Sequence, residues 1–191
     1  MLAAFEHPAF QAQATFRELL QAMARPAQPR PLPALPPSPS SIAPATMALL
    51  LTLCDADVTL WLQQADEQVT QHLRFHTGVN IVAEHGRADF ALITAPASMP
   101  ALDSFSLGEP HYPDRSTSLI MQVPAMHAGQ GDRFSGPGIE HAQRLAIDGL
   151  PFLFWQQRAA LASRLPLGLD IYVADSSRVA CLPRTTVRWE S

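Results

Sequence analysis

Near its C-terminus the chain reads Leu169-Asp170-Ile171-Tyr172-Val173-Ala174, then Asp175-Ser176-Ser177, then Arg178-Val179-Ala180-Cys181-Leu182. Two runs rich in β-branched and aromatic residues around a short polar cluster predict a β-hairpin. Both runs are apolar at most positions rather than at alternate ones, so the sheet that holds them is expected to be covered on both faces. Pro183 cannot donate to a ladder, and so ends the pairing or sets this strand at an edge. Arg184-Thr185-Thr186 then leaves the sheet with one fixed cation and two hydroxyls. A buried hairpin with a polar tip is the first place to look for a ligand or a partner.

All 13 basic residues are arginine, and no lysine occurs anywhere. That excludes a Schiff-base lysine, the lysine of a P-loop and a lysine general base. Planar, always-charged arginine forks remain for phosphate or carboxylate, together with protonated histidine. A formal net charge of −4 and a pI near 5.9 argue against bulk binding to nucleic acid or to an anionic membrane. At 191 residues, 47% apolar and 16% charged, the chain is expected to form one well-covered core, a single domain over 1–191.

Cys54 and Cys181 each lie inside apolar runs and form no Cys-x-x-Cys pair, so both are expected as buried free thiols in a reducing cytoplasm. No basic segment followed by an apolar stretch opens the chain, so no secretion signal is expected. The longest unbroken apolar run, Met47-Ala48-Leu49-Leu50-Leu51, falls far short of the ~20 residues that span a bilayer. The expectation is a soluble cytoplasmic protein.

From the N-terminus, Phe16, Leu19, Leu20 and Met23 fall at i, i+3, i+4 and i+7, predicting an amphipathic helix over 11–24 that Pro26 stops. Eight prolines from Pro26 to Pro44 then predict an extended surface connector over 26–44. Residues 47–54 read as a buried helix and 59–62 as a short strand. Residues 66–76 read as a helix, with Asp66 as N-cap and Gly78 just past its end. Residues 90–93 and 118–123 read as strands, 100–115 as irregular, and 128–132 as a turn from which 133–135 pairs back. Residues 152–164 read as a helix whose face carries Phe152, Trp155, Ala159 and Ala162. Helices and strands interleave without a repeat, so the class is α/β with a mixed sheet and helices outside it.

Few residues form a recognisable catalytic pattern. His72 and His76 have the spacing of two zinc ligands on a helix, but Leu73 stands where a zinc-protease motif needs glutamate, and no metal site is expected. Arg74 and His76 could form a small anion-binding corner at a helix C-terminus, against the plainer reading of a cap and surface pair. Gly136-Pro137-Gly138 lacks the third glycine of a dinucleotide loop, since His141 stands there, and reads as a strand-ending turn. Asp170 heads an apolar strand and is expected to cap it or to pair with an arginine. These residues alone show no evident catalytic centre.

Six blocks stand in order along the chain. They are Phe16-Arg17-x-Leu19-Leu20-x-Ala22-Met23, Leu49-Leu50-Leu51-Thr52-Leu53-Cys54-Asp55, and Leu73-Arg74-Phe75-His76-Thr77. Gly136-Pro137-Gly138-Ile139, Pro166-Leu167-Gly168-Leu169-Asp170 and Leu182-Pro183-Arg184-Thr185-Thr186 complete the set. Together they resemble the PhnH family, a subunit of the bacterial carbon–phosphorus lyase system. Two departures stand out: Ala27 occupies a position where the family usually has glycine, and the 26–44 stretch is unusually proline-dense.

The resemblance implies a three-layer αβα fold with a mixed sheet, similar to pyridoxal-phosphate-dependent transferases but without the cofactor. The missing lysine, which leaves no group for an internal aldimine, agrees. It implies a homodimer and a cytoplasmic complex with PhnG, PhnI and PhnJ. With PhnG, PhnI and PhnL, such a subunit would help to couple an alkylphosphonate to C1′ of the ATP ribose, releasing adenine. It implies no catalytic residue in this subunit. That chemistry needs anion clamps and a positioned acid, for which Arg74, His76, Arg184 and Thr185 are the candidate substrate-binding or interface residues. The competing expectation is a non-catalytic assembly module of the same complex.

Overall fold

The computed structural model describes residues 2–64 and 66–189. The first half contains α1 (Pro8–Ala24), β1 (Arg30–Pro31), α2 (Pro44–Leu53), β2 (Thr59–Leu62), α3 (Glu67–Thr77), β3 (Asn80–Val82) and β4 (Phe90–Ile93). Next come β5 (Leu107–Glu109), β6 (Tyr112–Ser116), β7 (Ser118–Gln122), β8 (Met126–Ser135) and β9 (Gln143–Ile147). The chain closes with α4 (Phe152–Leu161), β10 (Asp170–Ala174), β11 (Arg178–Leu182) and β12 (Val187–Trp189).

The hairpin forms where its sequence predicts, with Ile171 opposite Leu182 and Ala174 opposite Val179. It belongs to a seven-stranded sheet of order β1-β11-β10-β7-β4-β2-β3. The five strands from β10 to β3 are parallel, while β11 runs antiparallel to both of its neighbours, β10 and β1. Alternate residues feed two cores. Leu60, Leu92, Ile120, Val179 and Cys181 face α1, α2 and α3. Ala91, Leu119, Met121, Ile171, Val173 and Leu182 face the opposite layer. Both faces are covered, as the unbroken apolar runs require.

That opposite layer corrects the expected αβα arrangement. It holds one long helix, α4, beside the antiparallel sheet β12-β8-β9, which supplies Met126, Phe134 and Leu145 to the core. The reason lies in the stretch 128–132, expected as a turn. It is the middle of the ten-residue β8, with a bulge between Ala128 and Asp132. Gly129 and Gly131 sit there at φ 76 and 67, and glycine supplies bulges as readily as turns. Residues 100–115, expected as irregular, contain the β5–β6 hairpin and bury Leu102 and Phe105.

The 26–44 stretch is extended, as its prolines demand, but it does more than connect. Arg30 and Pro31 pair with Val179 and Arg178 at the sheet edge. Leu32, Ala34 and Pro36 are buried while Pro31, Pro33 and Leu35 face out, the period-2 pattern of an extended chain laid on a core. Ala27 is fully buried at φ 59, and its N–H donates to Cys181 O at 3.0 Å. That left-handed conformation is the physical reason a glycine suits this position.

Two helices bury only part of the apolar stripe that their spacing predicts: Leu19 and Met23 of α1 and Trp155 of α4 meet the cores, and the rest of each stripe does not. In α1 the buried residues are Thr15, Leu19 and Ala22, leaving Phe16 and Leu20 exposed. In α4 they are Phe154 and Leu161, leaving Phe152 62% exposed. By contrast α3 begins and ends as expected. Asp66 accepts from the Gln68 and Val69 amides, and Gly78 closes the helix at φ 74. The Ser41 hydroxyl, followed by the Val69 amide, holds the Asp66 carboxyl below its ordinary pKa. No helix among the described residues is long and apolar enough to cross a membrane.

Candidate functional site

The polar tip, which lies at the open end of the hairpin away from the turn at 175–177, is built around Arg184. Asp170, at the head of β10, accepts the Arg184 backbone N–H at 2.8 Å and its Nη2 at 2.6 Å. Nη2 also donates to Ser116 Oγ at 2.7 Å, and Nη1 to Pro113 O at 2.8 Å and Pro166 O at 3.1 Å. Asp170 thus pairs with an arginine, as expected. Every guanidinium nitrogen of Arg184 is turned inward, joining β6, the turn before β10 and the end of β11. The side chain is only 16% exposed.

A second arginine, Arg158 of α4, reaches the same tip. Its Nη1 donates to Thr186 O and its Nη2 to Pro183 O, each at 2.7 Å. It gives Pro183 O a second donor beside the Thr186 N–H, and gives Thr186 O a partner where the chain leaves the sheet. Burial pushes its pKa down to about 10, with Asp170 opposing the shift. Sequence reasoning missed Arg158, since a charge in a helix ordinarily marks the solvated side. The available signal was its position between Phe154 and Leu161, at i+4 and i−3 on one face.

Two clefts flank the tip. One, of about 410 Å³, lies between α4 and the segment into β12, with Phe152, Trp155, Ala159 and Val187 in its wall. The other, of about 400 Å³, is lined by Ser118, Asp170, Tyr172, Thr185 and Gly138. Thr185 is exposed there. Burial pushes the Tyr172 phenol up, so it stays a neutral donor.

Arg74 and His76 lie elsewhere, in the last turn of α3. Arg74 is exposed, and His76 Nε2 lies 3.2 Å from Leu2 O. α3 is the crossover between β2 and β3, and β2 is three strand spacings from β10, roughly 14 Å at ~4.8 Å each. Arg74 and His76 therefore do not join Arg184 and Thr185 in one site. His72 is 3% exposed, its ring 4.5 Å from that of His76, and neither of its nitrogens has a hydrogen-bond partner among the described residues. Burial, then the neighbouring His76, lowers its pKa. No third metal-ligating side chain joins the pair among the described residues.

The family model described as "Bacterial phosphonate metabolism protein (PhnH)" matches residues 3–188. The chain belongs to the PhnH family. It is 37% identical over 185 residues to the alpha-D-ribose 1-methylphosphonate 5-triphosphate synthase subunit PhnH of Rhizobium meliloti (strain 1021), covering 96% of this chain and 92% of the relative. It is 29% identical over 174 residues to the putative C-P lyase subunit protein HtxG of Stutzerimonas stutzeri, covering 91% and 84%.

Four of the six blocks that carry the PhnH resemblance converge on the polar tip. The Asp170–Arg184 pair ties the fifth to the sixth. Gly136 in the fourth packs so tightly that a Cβ there would lie 2.8 Å from Thr185 O. Gly138, at φ 82, leaves no room for a Cβ against Ala24 O, at the end of the helix that holds the first block. The tip is the crossing point of the family's blocks, and Leu73-Arg74-Phe75-His76-Thr77 stands apart from it.

Proposed function

We propose that this chain is a subunit of a carbon–phosphorus lyase assembly, required with partner subunits to couple an alkylphosphonate to C1′ of the ATP ribose with loss of adenine. Near-full-length similarity to a subunit of the corresponding synthase supports this reading. Within it, the chain supports catalysis and does not perform it. The observation that carries this part is the Arg184 node, whose donors all point at protein oxygens. A phosphonate or triphosphate clamp needs donors aimed at the ligand, and this one is aimed into the fold.

The proposed partners are PhnG, PhnI, PhnJ and PhnL, with cytoplasmic assembly and self-association as part of the same reading. The two buried free thiols, which suit a reducing compartment, support that location. A transferase-like fold without pyridoxal phosphate is likewise proposed, supported by the absence of lysine.

The test is adenine release from ATP and methylphosphonate by the cognate subunits, with this chain present, omitted, or alone. Turnover is expected only with the full set. Adenine release by the isolated chain would overturn the supporting role, and undiminished release without it would overturn the requirement.

A further inference from the structure

Most of the apolar face that the sequence assigns to the interior of α4 lies outside: Phe152, Ala159 and Ala162 are exposed, and Trp155 is half-buried against Phe134 and Phe154. Phe152, Trp155, Ala159 and Ala162 form one wall of the 410 Å³ cleft, and Val187 closes the other side. The exposure continues along both elements: Leu153 and Trp189 are each 59% exposed and Val187 is 44% exposed. Large apolar surface gathered beside a cleft marks a binding surface more often than ordinary monomer surface.

Charge and donor geometry select the occupant. Among the described residues three arginines, Arg158, Arg184 and Arg188, line the cleft, and no carboxylate does. Asp170 and Asp132 pair with two of them from outside its lining. Arg158 donates to backbone carbonyls of the segment after β11. Arg188 donates its Nε to Asp132 at 2.6 Å and stacks 4.7 Å above the Trp155 ring. A small phosphate ligand would need free donors within reach; those of Arg184 and both Nη atoms of Arg158 are directed at protein oxygens, and the unpartnered Arg158 Nε is buried. What the cleft offers is apolar contact area bordered by arginines, with no carboxylate in its described lining, the complement of a protein segment carrying large apolar side chains next to aspartate or glutamate.

We infer that the α4–β12 cleft is where another subunit of the assembly docks, through an acidic segment with an apolar anchor. This rests on the subunit reading above and names the surface that serves it. A second copy of this chain is the rival occupant, and the measurement separates the two.

The experiment is the affinity of the full chain for its purified cognate subunits, by titration calorimetry at 50 and 500 mM salt, with sedimentation of the chain alone in parallel. Phe152→Asp is expected to weaken association at least tenfold. Phe10→Asp, at the 80%-exposed Phe10 of α1, should stay within twofold of wild type. Higher salt should weaken the wild-type complex. Near-wild-type affinity of Phe152→Asp would overturn the inference, as would a change confined to self-association. Because affinity is read directly, a chain that is dispensable for turnover yet bound through this cleft would sink the functional reading alone. No binding of wild type at all would sink both.

Discussion

The carboxylate of Asp170 accepts from three donors of Arg184, its backbone N–H, its Nε and its Nη2. One residue heads β10 and the other follows β11, so the pair locks the open end of the hairpin. Asp170→Ala leaves a largely buried guanidinium without its counter-charge. It is expected to cost about 3 kcal/mol, and Arg184→Lys about 2 kcal/mol because an ammonium cannot reproduce the fork. Urea denaturation of both, with the double variant, measures the coupling.

Two fully buried alanines should respond oppositely to glycine. Ala22 lies within α1, where glycine loses helix propensity and a packed methyl, about 2 kcal/mol together. Ala27 sits at φ 59, so relief of left-handed strain offsets the lost methyl. Ala27→Gly is expected within about 1 kcal/mol of wild type by the same denaturation. A β-branched residue there, as in Ala27→Val, should cost more than about 2 kcal/mol.

The facing of α4 is checked by neighbouring phenylalanines. Phe154 is 2% exposed, and Phe154→Ala should cost about 3–5 kcal/mol. Phe152→Ala should change stability by no more than about 0.5 kcal/mol. Equal losses would mean the helix is rotated.

These pairs also show what was legible. The hairpin, the cap at Asp66 and the stop at Gly78 follow from local chemistry, which a sequence carries in full. The facings of α1 and α4 do not. Phe152, Trp155, Ala159 and Ala162 form a better apolar stripe than Phe154, Arg158 and Leu161, yet the second turns inward, where Arg158 meets the carbonyls of Pro183 and Thr186 just past β11. Those partners lie more than 20 positions away, and no helical period reports them. Arg184 was legible as important, but the inward aim of its donors was not, since its partners at Pro113, Ser116 and Asp170 meet only in the fold.

Acid should expose the cost of His72. Its folded pKa lies below the ordinary 6.5 because of burial and then the nearby His76. The unfolded chain therefore takes up the proton first, and stability present above about pH 6.5 is lost as pH falls toward the folded value. The urea midpoint of wild type should drop between pH 8 and pH 5, and His72→Gln should flatten that drop.

Both cysteines should be silent in the native protein. Burial, with Asp55 adding to it, pushes the Cys54 thiol up to about 12, and burial raises Cys181 as well. A thiol-reactive dye at pH 8 is expected to label neither residue without denaturant and both in urea. Rapid native labelling of Cys181 would mean that the hairpin opens.

The proline border of the main sheet has one further consequence. An edge strand normally offers a row of free amides and carbonyls on which a foreign strand can crystallise into a fibril seed. Here that border is β1, two residues long, with Pro31 lacking an amide and Pro29 and Pro33 flanking it at every second position. The ladder cannot be copied outward from this side. The sheet thus carries a non-stick rim, and replacing those prolines with valine or threonine would turn the rim into a template for aggregation.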